Sequence, residues 1–303
     1  MKKLLALIFM GLLIMTQAVH SGPQAQAQTR NNTASQGNQT QNFFNDTQQS
    51  MDNAFNAMDS GTTPEDAYYL GRAVAAQILG TYRPYTENPE LTRYLNLICQ
   101  AIAINSPQPE LYNGYHVIIL DSPEFNAFAT PGGHIFITRG LAQATTSEDM
   151  VAAVIAHEFS HILLQHGIKL IDEMSLAGEA GEMARRAAEL SGNSAGAQRL
   201  MAYRNSVARI VDTMMINGYS QEYEFEADRG ALSLLAASGY NPGALMEILA
   251  VLEQVQGSQR GGFNTTHPSP AQRIANIERL TSQYRVQDTR PSRVPRFRSR
   301  QQR

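Results

Sequence analysis

One cysteine, Cys99, stands in 303 residues, which rules out an intramolecular disulfide; packing as a small apolar side chain is its expected role. Charge is also scarce. Charged residues are 17% of the chain and the net charge is −3, so the composition does not point to a polyanion-binding protein, and nucleic acid is not an expected partner. The apolar run Leu4 to Met15 is shorter than the roughly 20 residues that cross a bilayer. With Lys2-Lys3 before it and Ala25-Gln26-Ala27 as a cleavage site after it, it reads as a secretory signal over 1–27. The mature chain is therefore expected outside the cytoplasm, in a periplasm or similar compartment. No cysteine follows the signal to carry a lipid, and no helical-hairpin repeat is present to add a partner-binding module.

Residues 28–63 are rich in Gln, Asn, Ser and Thr and poor in aliphatics, too little burial to offset ordering entropy, so a disordered linker is expected. The span 64–280 is long enough for one well-buried domain. Beyond it, 281–303 carries Arg285, Arg290, Arg293, Arg296, Arg298, Arg300 and Arg303 without aliphatic support, and is expected to be a disordered, solvated tail. Within the domain, Glu65 to Leu79 and Asn88 to Ala103 have helical periodicity, Val117 to Leu120, Phe125 to Ala129 and Ile135 to Ile137 read as strands, and Gly243 to Val255 is a further helix. The stretch from Gly167 to Tyr219 is helical but too charged for a membrane span.

The most informative segment is His157-Glu158-Phe159-Ser160-His161, set behind the apolar run Met150 to Ala156. On a helix of about 3.6 residues per turn the two imidazoles lie one above the other and can share one ion, with Glu158 beside them to act as general base. Neutral imidazole suits zinc, and a catalytic site leaves one of four positions for water. Thr145 and Glu148 offer a capping box at the start of this helix, and Gly167 an end.

A third protein donor is required. Six residues after His161 stands Gly167, not histidine, and His166, one residue early, would project about 100° from the metal face of a straight helix, so a polar helix-end role is expected for it. A glutamate from a second helix remains, with Glu179 and Glu182 competing against Glu222, Glu224 and Glu226. Glu224 has a carboxylate four residues on, Asp228, so one could bind the metal while the other accepts a ligand histidine's N–H. Glu224 is therefore the expected ligand and Asp228 its supporting carboxylate.

Four separated segments then agree: Asn126 to Ile137, His157 to His161, Glu224-Phe225-Glu226-Ala227-Asp228, and His267-Pro268-Ser269-Pro270 followed by Arg273-Ile274. Together they resemble the zinc metallopeptidase family that includes HtpX, the CAAX prenyl protease and the soluble periplasmic BepA-like and LoiP-like peptidases, here without a TPR domain. The resemblance implies an α+β fold, a mainly helical gluzincin domain with a small β-sheet bordering the cleft. It implies one Zn²⁺ per chain on His157, His161 and Glu224, with Glu158 as base. It places His267 near the metal, as an oxyanion donor or as a cap. The segment Asn126, Ala127, Phe128 and Ala129 would border the cleft, where an extended substrate could dock as an added strand. The family's arginine three residues before the glutamate is Gln221 here.

The resulting expectation is a secreted or periplasmic zinc endopeptidase that hydrolyses unfolded or misassembled envelope proteins, with contact to a membrane surface or envelope complex open. The alternative is a zinc-stabilised, chaperone-like binding protein whose metal is capped by His267.

Overall fold

The computed structural model describes residues 64–173, 205, 207–214, 218–256, 269–284 and 290–302. The expected signal, the 28–63 linker and His267 lie outside these residues.

Helix α1 (Pro64–Thr81) is followed by α2 (Pro89–Ile104), which starts where the Asn88 side chain accepts from the Leu91 amide at 2.9 Å and Pro89 occupies the first turn. Leu91, Leu95, Ile98, Cys99 and Ile102 form its buried face, so the lone cysteine is core. Strands β1 (His116–Leu120), β2 (Ala127–Ala129) and β3 (His134–Thr138) make a sheet of order β1-β3-β2, parallel between β1 and β3 and antiparallel between β3 and β2. Side chains alternate across it. Val117, Ile119, Ala127, Ala129, Ile135 and Ile137 face the main core, while Leu120, Phe128 and Phe136 join α1 and Val207, Ile210 and Val211 on the other side.

After the short α3 (Arg139–Ala144) comes α4 (Glu148–Leu163), every residue of which is buried. A helix enclosed on all sides can be apolar all round, as Met150 to Ala156 is. Its polar residues therefore sit in a low-dielectric setting. Helix α5 (His166–Glu173) follows at once, and α6 (Gln221–Ala237), capped by Ser220, packs along α4. Helices α7 (Ala244–Gln256) and α8 (Pro270–Thr281) close the far side.

Three local expectations differ from what forms. Ser147, not Thr145, caps α4, accepting from the Met150 amide at 3.2 Å; Thr145 is already used to end α3. The turn after α4 is made by Gln165, at φ +57°, and Gly167 lies inside α5, where a Cβ would come within 3.1 Å of Pro131. The expected disordered Arg-rich tail contains a helix, α9 (Arg290–Gln301). Composition predicted too little burial, but α9 is held by acids that belong to α4. Arg296 bonds Glu148 at 2.6 and 2.8 Å, Arg293 bonds Asp149 at 2.8 Å, and Phe297 enters the core beside them. Glu148 and Asp149 are buried in the first turn of α4, so the arginines neutralise carboxylates that water does not reach.

Substituting Arg296→Met should lower unfolding stability by about 1–2 kcal/mol, the low side of a charged hydrogen bond because the guanidinium is half exposed. Arg300→Met, whose partner Glu90 is also partly exposed, should change it by less than about 0.5 kcal/mol. Chemical denaturation of the two variants checks the difference.

Candidate metal centre

Spacing along α4 brings the Nε2 atoms of His157 and His161 to 3.1 Å from each other. Opposite them, α6 turns Glu224 inward, with Oε2 3.4 Å from His157 Nε2 and Oε1 3.5 Å from His161 Nε2. All three side chains are buried, and they are the one group of metal-capable residues found among the described residues, their donors all within 4.8 Å. A tetrahedral ion with bonds of about 2.0–2.1 Å needs donors about 3.3–3.4 Å apart. The separations here, 3.1 to 3.5 Å, and the imidazole–carboxylate donor set fit zinc. The competing Glu179 and Glu182 lie outside the described residues.

Asp228, one turn further along α6, faces His157 from behind. Its Oδ1 is 3.0 Å from His157 Nδ1, so with the ring proton on Nδ1 the Nε2 lone pair faces Glu224 and His161. Arg273, from the start of α8, binds the same carboxylate through Nε at 2.9 Å and Nη2 at 2.6 Å, and its Nη1 lies 3.5 Å from Glu224 Oε2. Both are buried, Arg273 fully, making this a desolvated fork-to-fork ion pair. Burial alone would raise the Asp228 carboxyl, but the Arg273 charge and the bonds from His157 and Arg273 hold it down to about 2. Burial and the Arg273 charge push His157 down, and hydrogen bonds to Asp228 and Glu224 outweigh them, raising it to about 9. The pocket thus favours positive charge at the place where the donors converge.

Glu158, next to His157, is 1% exposed, and its Oε2 has no hydrogen-bond partner among the described residues. Burial raises its carboxyl to about 7, with Glu224 adding to the shift against His157 and Arg273. That is a carboxylate poised to exchange a proton near neutrality. Ala127, Phe128 and Ala129 form β2, with Asn126 just before it, at the edge of the described sheet and packed on α4. The side chains of Ala127, Phe128 and Ala129 enter the cores, leaving the backbone as what this strand can offer a ligand.

Three participants escaped the sequence reading. Arg273 was visible as part of a motif but carried no role, because nothing local says that it reaches Asp228, 45 residues earlier. His166 stands at a helix end, as the first residue of α5, but not as a solvated one. It is fully buried, with its Nδ1 2.8 Å from His161 Nδ1 and its Nε2 3.2 Å from Glu226 Oε2. The straight-helix projection failed because Gln165 takes the left-handed conformation and turns the chain back. Tyr219 stacks on the His161 ring, centroids 4.3 Å apart at 18°.

Two histidines of one helix and a glutamate of another, beside a small sheet with an edge strand, define a mainly helical metallopeptidase domain of the zincin type. The family model "Peptidase family M48" matches residues 87–281, and the chain belongs to that family. It is similar to the beta-barrel assembly-enhancing protease of Escherichia coli (strain K12), 26% identical over 247 residues, covering 77% of this chain and 49% of that protein. It is also similar to the mitochondrial metalloendopeptidase OMA1 of Schizosaccharomyces pombe, 28% identical over 205 residues, covering 67% of this chain and 55% of that one. The chain spans about half the length of these relatives.

The purified protein should bind one zinc, and zinc at about a hundredfold excess over its Kd should add about 2.7 kcal/mol of stability. Glu224→Ala should abolish both effects. Elemental analysis together with melting in zinc and in chelator measures them.

Proposed function

We propose that this chain is a zinc endopeptidase that cleaves extended segments of unfolded or misassembled envelope proteins outside the cytoplasm. The observation that carries the reading is the convergence of His157, His161 and Glu224 with Glu158 at their side. The setting rests on the signal-like sequence at 1–27 and on the names of the relatives, a beta-barrel assembly-enhancing protease and a mitochondrial metalloendopeptidase. No helix among the described residues is long and apolar enough to cross a membrane.

His157, His161 and Glu224 would hold the ion, which when bound supplies Lewis-acid polarisation of the scissile carbonyl and a more acidic water. Glu158 takes the proton of the attacking water and returns it to the leaving amine. Asp228, held by Arg273, keeps His157 in the tautomer whose Nε2 is bare. The substrate backbone pairs with the edge of β2 at Asn126 to Ala129, which favours polypeptide whose own backbone groups are unpaired. His267 donates to the oxyanion.

Because Glu158 hands its proton to the amine, the residue on the amine side of the cleaved bond lies next to Glu158. There an apolar hollow lined by Leu141, Val154, Leu245, Ile248, Leu249 and Leu252 meets His157, Glu158 and Arg273. A branched aliphatic side chain fits its chemistry.

Casein with the zinc-loaded parent should be degraded, and with Glu158→Gln it should not, at unchanged zinc content. If neither cleaves while both hold zinc, a binding role with the metal capped by His267 replaces this reading. In the same assay His267→Ala should slow turnover, whereas a capping histidine would give a faster variant.

In fluorogenic peptides that differ only at the residue after the cleaved bond, leucine should exceed aspartate in kcat/KM by at least about tenfold. Equal rates would remove the hollow from the substrate path.

A further inference from the structure

The two histidines of α4 are supported differently, and the proposed function draws on only one of the supports. His157 leans on the Asp228–Arg273 pair. His161 leans on another imidazole: its Nδ1 is 2.8 Å from Nδ1 of His166, whose Nε2 is 3.2 Å from Glu226 Oε2. Two ring nitrogens at that distance need one donor and one acceptor. If His166 donated, the proton of His161 would have to sit on Nε2, the atom facing His157 and Glu224, and the bare Nε2 of His166 would face a carboxylate, acceptor against acceptor. If His161 donates instead, His166 keeps its proton on Nε2 and gives it to Glu226. Both contacts of His166 are then satisfied, and His161 Nε2 is left bare toward His157 and Glu224, three acceptors that a cation suits. The carboxylate of Glu226 thus selects the tautomer of His166, which selects that of His161.

The rings are held for this purpose. Tyr223 stacks on His166, centroids 4.5 Å apart at 12°, and Tyr219 on His161, while the left-handed turn at Gln165 brings His166 back against α4. Glu226 is 42% exposed at its side chain, so the outer end of the chain of bonds can be altered without opening the core.

We infer that His166 and Glu226 are positioning residues that hold His161 in the tautomer able to ligate a metal through Nε2. This rests on His161 being a metal ligand, as the proposed function has it. Zinc affinity, measured by competition with a chromophoric chelator, tests it apart from activity. His166→Phe should weaken zinc binding about 10–100-fold. His166→Asn, which keeps an acceptor near the Nδ1 position, should recover most of the loss. Glu226→Lys places a donor against His166 and so selects the opposite tautomer; it should weaken binding as much as His166→Phe without touching the site. Long-range ¹H–¹⁵N correlation on the metal-free parent should find the His161 proton on Nδ1, and on Glu226→Lys find it on Nε2. Should His166→Phe not fold, Glu226→Lys and the tautomer measurement carry the test. Parent-like affinity in Glu226→Lys, or an Nε2 proton on His161 in the parent, overturns the relay and leaves the metal site standing. A parent that binds no zinc removes both.

Discussion

The structure turns on the burial of ionisable groups where α4 and α6 meet. His157, Glu158, His161, Glu224, Asp228 and Arg273 are each at most 2% exposed and occupy one volume. Such groups are costly out of water unless each meets a partner of opposite character. Asp228 and Arg273 satisfy one another, and the two metal-facing imidazole nitrogens and Glu224 are left oriented toward a common point that a cation suits. The raised His157 reflects the two carboxylates, Asp228 and Glu224, that face its ring from either side.

Rigidity follows from the same burial. The helix bearing the motif is enclosed along its whole length, by α2 and the sheet on one side and by α6 and α7 on others. Its first turn is gripped by arginines of α9 and its last turn ends at the Gln165 reversal, so both ends are anchored. Ligand geometry within a few tenths of an ångström depends on such support, because side chains that ligate without their outer partners lose orientation. Glycine at 167 belongs to this economy of space: the helix after the turn passes close to Pro131 and Tyr219, and even a methyl group there would require Pro131 to give by a few tenths of an ångström.

Much of the site could be read from local spacing. A four-residue interval on a helix places two side chains on one face whatever surrounds them, which is why His157 with His161, and Glu224 with Asp228, could be paired before any tertiary contact was known. Short apolar runs bounded by turn residues, Val117 to Leu120 and Ile135 to Ile137, likewise disclosed strands, and the periodic leucines and isoleucines of α2 its buried face. Errors arose where a segment's fate depends on a distant one. The arginines near the end of the chain were judged by their own neighbours, yet their acids lie about 145 residues away at Glu148 and Asp149. His166 was projected along a straight helix that in fact ends three residues before it.

Sequence alone determined the chemistry on offer: which imidazoles share a face, which carboxylate stands beside them, and that a glutamate from elsewhere had to complete the set. Periodicity is a property of the backbone and survives any packing. Tertiary structure alone decided how those groups are held, through Arg273 behind Asp228, His166 and Glu226 behind His161, and α9 at the head of the central helix. Those supports are contacts between segments far apart in the chain, and their energy exists only once water has been excluded from between them.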